Sequence, residues 1–119
     1  MDKHLELGRR GEQIAKQFLE DNGYTIIDYN WKAGKTEIDI ISWKDNILNF
    51  VEVKTRMTNN FANPEDAVCR YKENAYYHTA SAFLDLLNHE SEIRFDIIAI
   101  TMAPEFEIIH FQDAFFPSW

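Results

Sequence analysis

One cysteine, three prolines and four glycines are all that this 119-residue chain holds of the residues that staple, stiffen or loosen a backbone. Cys69 alone cannot close an intramolecular disulfide, and it supplies no CxxC metal site. No apolar run approaches the roughly 18 residues that a membrane-spanning helix needs. The N-terminal stretch MDKHLELGRRGE has no apolar core of the kind a secretory signal carries. A cytoplasmic protein without membrane contact is the expectation. Basic residues are scarce too. Twelve Lys and Arg face twenty Asp and Glu, a net charge of −8 that weighs against tight non-specific binding to nucleic acid. The deficit is uneven: residues 1–56 carry nine basic and ten acidic side chains, and residues 57–119 carry three and ten. The first half is therefore close to neutral.

Hydrophobic residues make up 45% of the chain and aromatics 14%, enough for one folded domain spanning 1–119. Gly11, Ile14, Ala15, Phe18 and Leu19 recur at helical spacing, and Asn22-Gly23 supplies a stop, which predicts a helix over Leu5–Asp21. Strands are expected over Tyr24–Trp31, Glu37–Trp43 and Ile47–Lys54, the last two joined by a turn at Lys44-Asp45-Asn46. A polar loop covers Thr58–Asn63, and a long helix is expected from Pro64 to about Asn88, N-capped by Asn63. Strands Ile93–Met102 and Phe106–Phe111 close the chain around a turn at Ala103-Pro104-Glu105. The order α-β-β-β-α-β-β makes an α/β fold, a mixed sheet flanked by helices.

The central hairpin is charged where a core strand is normally apolar. In TEIDIISWKDNILNFVEVKTR, Glu37, Asp39, Glu52 and Lys54 alternate with Ile38, Ile40, Val51 and Val53. Strict alternation puts Glu37, Asp39 and Ile41 on one face and Ile38 with Ile40 on the other. It also lets Asp39 approach Glu52 and Lys54 across the turn. A solvated amphipathic face with Lys54 paired to an acid is the ordinary explanation. Against it stand the apolar flanks, the low strand preference of Asp and Glu, and the mutual repulsion of clustered carboxylates, which a divalent ion would relieve. Spacing alone leaves both the ion-pair network and the metal site open.

Asp39, followed thirteen residues on by Glu52-Val53-Lys54 across a hairpin, resembles the D…(D/E)xK signature of the PD-(D/E)XK nucleases. The blocks LGRRGEQIAKQFLEDNGYTII, NW, EIDII, FVEVKTR, FANPEDAV, RFDIIAI and HFQDAF, taken in order, resemble the YraN-like family, uncharacterised protein family 0102. They run from Leu7 to Phe115. The resemblance implies a restriction-endonuclease-like core related to Holliday-junction resolvases, with nucleic-acid binding or cleavage inferred for the family. Three positions depart from the family pattern. Thr36 stands where Gly is usual before Glu-Ile-Asp, Ala62 replaces a loop Gly, and Glu73 replaces a Gln that often follows Lys72.

On this resemblance Asp39 and Glu52, with the backbone carbonyl of Val53, are the expected ligands of Mg²⁺ or Mn²⁺. Lys54 would orient the attacking water or stabilise charge on the phosphate. Glu12 matches the first-helix acid that completes the carboxylate cluster in resolvase-like members, although Arg9 and Lys16 at i−3 and i+4 equally suit a solvated helix face. Glu37 is expected to support Asp39 from the same strand. Arg9, Arg10, Arg56 and Lys72 are candidate contacts to nucleic-acid phosphates. Arg94 and Asp96 read as a structural pair, and histidines 4, 78, 89 and 110 lack metal-ligand spacing. The expected activity is metal-dependent hydrolysis of DNA phosphodiester bonds, in branched or damaged DNA. The alternative is a non-catalytic nucleic-acid-binding or protein-interaction module, favoured by the net charge and Glu73. A basic protein partner, or a homodimer sealed by the terminal FFPSW, would complete either picture.

Overall fold

The computed structural model describes residues 3–34, 36–57, 70–87 and 92–114. The elements follow the expected order: α1 (Lys3–Asp21), β1 (Thr25–Ala33), β2 (Thr36–Lys44), β3 (Ile47–Arg56), α2 (Arg70–Leu87), β4 (Glu92–Thr101) and β5 (Glu107–Phe111). The expected loop at 58–63, the helix start at Pro64, Cys69 and the FFPSW tail lie outside the described residues.

α1 ends where Asn22-Gly23 requires it to. Gly23 takes φ of 89°, a left-handed conformation that costs a glycine nothing. The Gly23 N–H then donates to the Glu20 carbonyl at 3.1 Å and the Tyr24 N–H to the Leu19 carbonyl at 2.9 Å. This is a Schellman cap, and its usual apolar contact is made by Leu19 and Tyr24 in the same buried cluster. The β2–β3 turn is equally local in origin. Asp45 and Asn46 have φ of 53° and 63°, the two positive values that a two-residue hairpin turn demands.

The five strands form one sheet in the order β1-β2-β3-β4-β5. All neighbours run antiparallel except β3 and β4, which pair in parallel from Ile47–Glu92 to Arg56–Thr101. A parallel pair needs a crossover, and α2 lies within that connection. Both faces are covered. One carries Ile38, Ile41, Leu48, Phe50, Phe95 and Ile97 against Tyr77, Ala80 and Phe83 of α2. The other carries Ile40, Val51, Ile98 and Ile100 against Ala15 and Leu19 of α1. Each fully buried side chain of this kind contributes about 1.5–3 kcal/mol. Strands buried on both sides can carry continuous apolar runs, as β4 does from Ile97 to Ile100.

The two-face core corrects one expectation. Ile38 and Ile40 do not share a face: Ile38 packs with Ile41 beneath α2, and Ile40 packs beneath α1. The alternation slips at Asp39, between them. β2 and β3 pair from Lys44–Ile47 up to Ile40–Val51, and no pair follows beyond that point. The strands part there, and Asp39 occupies the opening.

Candidate metal centre

Where β2 and β3 separate, the Val53 N–H loses its strand partner on the β2 side. Asp39 supplies one: the Val53 N–H donates to Asp39 Oδ2 at 2.8 Å. Glu52, one residue earlier on β3, is buried and lies against Asp39 closely enough to share a carboxyl–carboxyl hydrogen bond. Lys54 Nζ stands 3.8 Å from Glu52 Oε1. The opening between the strands thus draws Asp39, Glu52 and Lys54 to one place.

α1 brings the fourth residue. Gly11 is pressed against β3 so closely that a Cβ there would fall 1.7 Å from Thr55 Oγ1. This approach sets the next residue, Glu12, over the strands. Carboxylate oxygens of Glu12, Glu37 and Asp39 all lie within 4.8 Å of one another. Asn30 joins them. It sits on β1 between the Tyr29–Ile40 and Trp31–Ile38 pairs with φ of 52°, a conformation that Asn tolerates better than most residues. With its amide nitrogen turned toward the acids, Asn30 donates to both Glu37 and Glu12. Lys32 balances Glu37 from the solvent side at 3.7 Å.

Crowding leaves its mark on the protonation of these groups. Burial first, and then the neighbouring Glu52 carboxylate, push Asp39 up to about 8, against the single hydrogen bond from Val53. Burial also raises the Glu12 carboxyl, with Glu37 and Glu52 adding to the effect and Asn30 and Arg9 opposing it. A set of carboxylates held together at such a cost suits a hard divalent cation with oxygen ligands, Mg²⁺ or Mn²⁺, whose charge would reverse these shifts. The donor set has the chemistry of the ion that the family resemblance implies.

A model of uncharacterised protein family UPF0102 matches residues 11–100. This chain belongs to the UPF0102 family. Among its relatives, a UPF0102 protein of Flavobacterium psychrophilum is 43% identical over 117 residues, covering 98% of both chains. One from Bacteroides thetaiotaomicron is 42% identical over 118 residues, again covering 98% of each. One from Phocaeicola vulgatus is 40% identical over 118 residues with the same coverage. The stretch matched to the UPF0102 model contains every acid of the site, from Glu12 to Glu52.

In this UPF0102 chain the sequence-derived site residues divide as follows. Asp39, Glu52, Lys54 and Glu12 come together. Glu37, expected only to support Asp39, places its own oxygen in the carboxylate trio with Glu12 and Asp39, whereas Glu52 adjoins that trio through Asp39. Val53 meets Asp39 through its N–H. Arg9 lines a pocket beside Glu12, while Arg10 is exposed on α1 and Arg56 ends β3. The side chains of Lys72 and Glu73 lie outside the described residues. Sequence reasoning missed Asn30, which carries no charge; its one signal is a turn-forming residue between the strand aromatics Tyr29 and Trp31.

Arg94 and Asp96 show what a structural acid looks like in the same sheet. Asp96 is fully buried and accepts from Arg94 Nε at 2.8 Å and from the Asp113 N–H at 2.9 Å, with His110 Nε2 also 2.8 Å away. Arg94 additionally donates to the Tyr24 hydroxyl at 2.8 Å. Burial alone would raise the Asp96 carboxyl, but the bonds from His110, Arg94 and Asp113 outweigh it and hold it below the ordinary range. At Asp39 the balance runs the other way.

Proposed function

We propose that this UPF0102 chain is a metal-dependent nuclease hydrolysing DNA phosphodiester bonds. The observation that carries the reading is the convergence of Glu12, Glu37 and Asp39 to within 4.8 Å beside Glu52 and Lys54. Those carboxylates would hold the ion. When bound, such an ion polarises a phosphoryl oxygen and lowers the pKa of a bound water. The chain's own residues do the rest. The Val53 N–H fixes one oxygen of Asp39, and Asn30 ties Glu12 on α1 to Glu37 on β2, so acids from two elements keep a common orientation. Lys54, held beside Glu52 and partly exposed, can donate from Nζ to a phosphate oxygen as negative charge develops there. The net charge of −8 falls mostly on residues 57–119, away from these strands in sequence.

The test is cleavage. Purified protein is incubated at low salt with flap, junction and single-stranded DNA in Mn²⁺, Mg²⁺ or EDTA. Metal-dependent products are expected, and Lys54→Ala should lose them while remaining folded. Absence of cleavage on every substrate in both metals would end the nuclease reading. Salt-sensitive binding without cleavage would select a non-catalytic DNA-binding module instead.

A further inference from the structure

Next to the carboxylates, between α1 and the edge strand β1, lies a pocket of about 300 Å³. Arg9, Lys16, Tyr29 and Ile40 line it, and Glu12 and Asn30 connect it directly to the acid cluster. Ile40 is buried and apolar, whereas Tyr29 is 58% exposed. Arg9 and Lys16 are seven residues apart, two helical turns, and so share one side of α1. Lys16 Nζ rests 5.5 Å from the centre of the Tyr29 ring, which keeps the ring beside a cation in the free protein.

An exposed aromatic ring with one cation against it and a second lining the same pocket offers two complementary surfaces. The ring presents a π-face on which a base can stack whatever its identity, and the cations take the adjoining phosphate. The space is of the order of one nucleotide, at the small end of ligand pockets. A base inside an intact duplex is already stacked and paired, and reaches such a pocket only if it is unpaired first. We infer that this pocket holds one unpaired nucleotide, its base on Tyr29 and its phosphate on Arg9 and Lys16, so that the substrate is single-stranded or flapped DNA rather than intact duplex. The place of this nucleotide beside the bond that is cut rests on the nuclease reading; its binding does not.

Binding is therefore measured without chemistry. The full chain in EDTA at low salt is titrated into a fluorescently labelled oligothymidine, and separately into a labelled duplex of equal length, by anisotropy. Tyr29→Ala should weaken single-strand binding about 10-fold or more, the usual loss of one stacked base, and change duplex binding less than about twofold. Tyr29→Phe should restore single-strand binding, because stacking needs the ring and not the hydroxyl. Lys16→Ala should weaken binding and lower the salt slope by roughly one phosphate. No single-strand binding by the unmodified protein, or wild-type affinity in Tyr29→Ala, overturns the inference. So does an equal loss on single strand and duplex. Tyr29-dependent binding without cleavage in Mn²⁺ would leave the pocket standing and remove the nuclease reading. Cleavage of duplex and flap alike, indifferent to Tyr29→Ala, would do the reverse.

Discussion

Replacing Gly11 with alanine should destabilise the protein, although helix propensity alone says the opposite. Gly11 lies inside α1, where alanine is favoured over glycine by about 1 kcal/mol. The obstacle is β3. A Cβ at position 11 would stand 1.7 Å from Thr55 Oγ1, 2.8 Å from Thr55 Cβ and 3.0 Å from Thr55 Cγ2. Rotating the threonine moves Oγ1 and Cγ2 but not Cβ, and carbon atoms rest comfortably only at about 3.5–4.0 Å. The helix must therefore move off the strand. Overpacking of this kind costs roughly 1–3 kcal/mol, to be set against the propensity gain. A net loss of up to about 2 kcal/mol is expected, read as a lower urea midpoint at unchanged slope. Gly8→Ala is the control, since nothing lies within 4 Å of a Cβ there, and it should be neutral or stabilising. The decisive arm is the double mutant. Thr55→Gly removes the obstructing atoms, and in that background Gly11→Ala should become stabilising, with a coupling of about 1 kcal/mol or more. A stabilising Gly11→Ala in the native background, or additive single mutants, would refute the close approach that sets Glu12 in place.

Two further perturbations act on the buried acids, with opposite signs. Asp96→Asn should cost about 3 kcal/mol, because it leaves Arg94 without its carboxylate partner. The folded pKa of Asp96 lies below its unfolded value, so its contribution is complete above about pH 4. It is lost as pH falls through the lowered value; acid denaturation that sets in at the same pH in Asp96→Asn would contradict this. For Asp39 the folded pKa is raised to about 8, so metal-free stability should decline as pH climbs from near 4 toward 8. Asp39→Asn can keep the bond from Val53 while shedding the charge, and should melt at a higher temperature than wild type at pH 8 in EDTA. An unchanged or lower melting temperature would count against the crowding.

Much of this was legible from the chain. The Asn22-Gly23 stop and the Asp45-Asn46 turn are local chemistry, and both formed where the residues demanded. The turn fixed a hairpin register that brings Asp39 level with the Glu52–Lys54 end of β3. The opposed faces of Ile38 and Ile40 were not legible, because a period of two assumes unbroken pairing and the β2–β3 ladder ends at Ile40–Val51. The same break explains why Glu37 reaches the acid cluster itself. Asn30 depends on a left-handed backbone inside a strand and on a helix that approaches only because residue 11 is glycine. Such long-range consequences leave no pattern in a single strand of sequence.

The claim beneath all of this is that the acids of β2 and α1 form a seat for a divalent ion. Calorimetric titration of Mn²⁺ into the metal-free protein near pH 7.5 tests it most directly. Saturable binding is expected in the wild type, accompanied by proton release seen as a dependence of the heat on the buffer, and absent from Asp39→Asn. No saturable heat in the wild type, or equal binding by Asp39→Asn, would contradict the account.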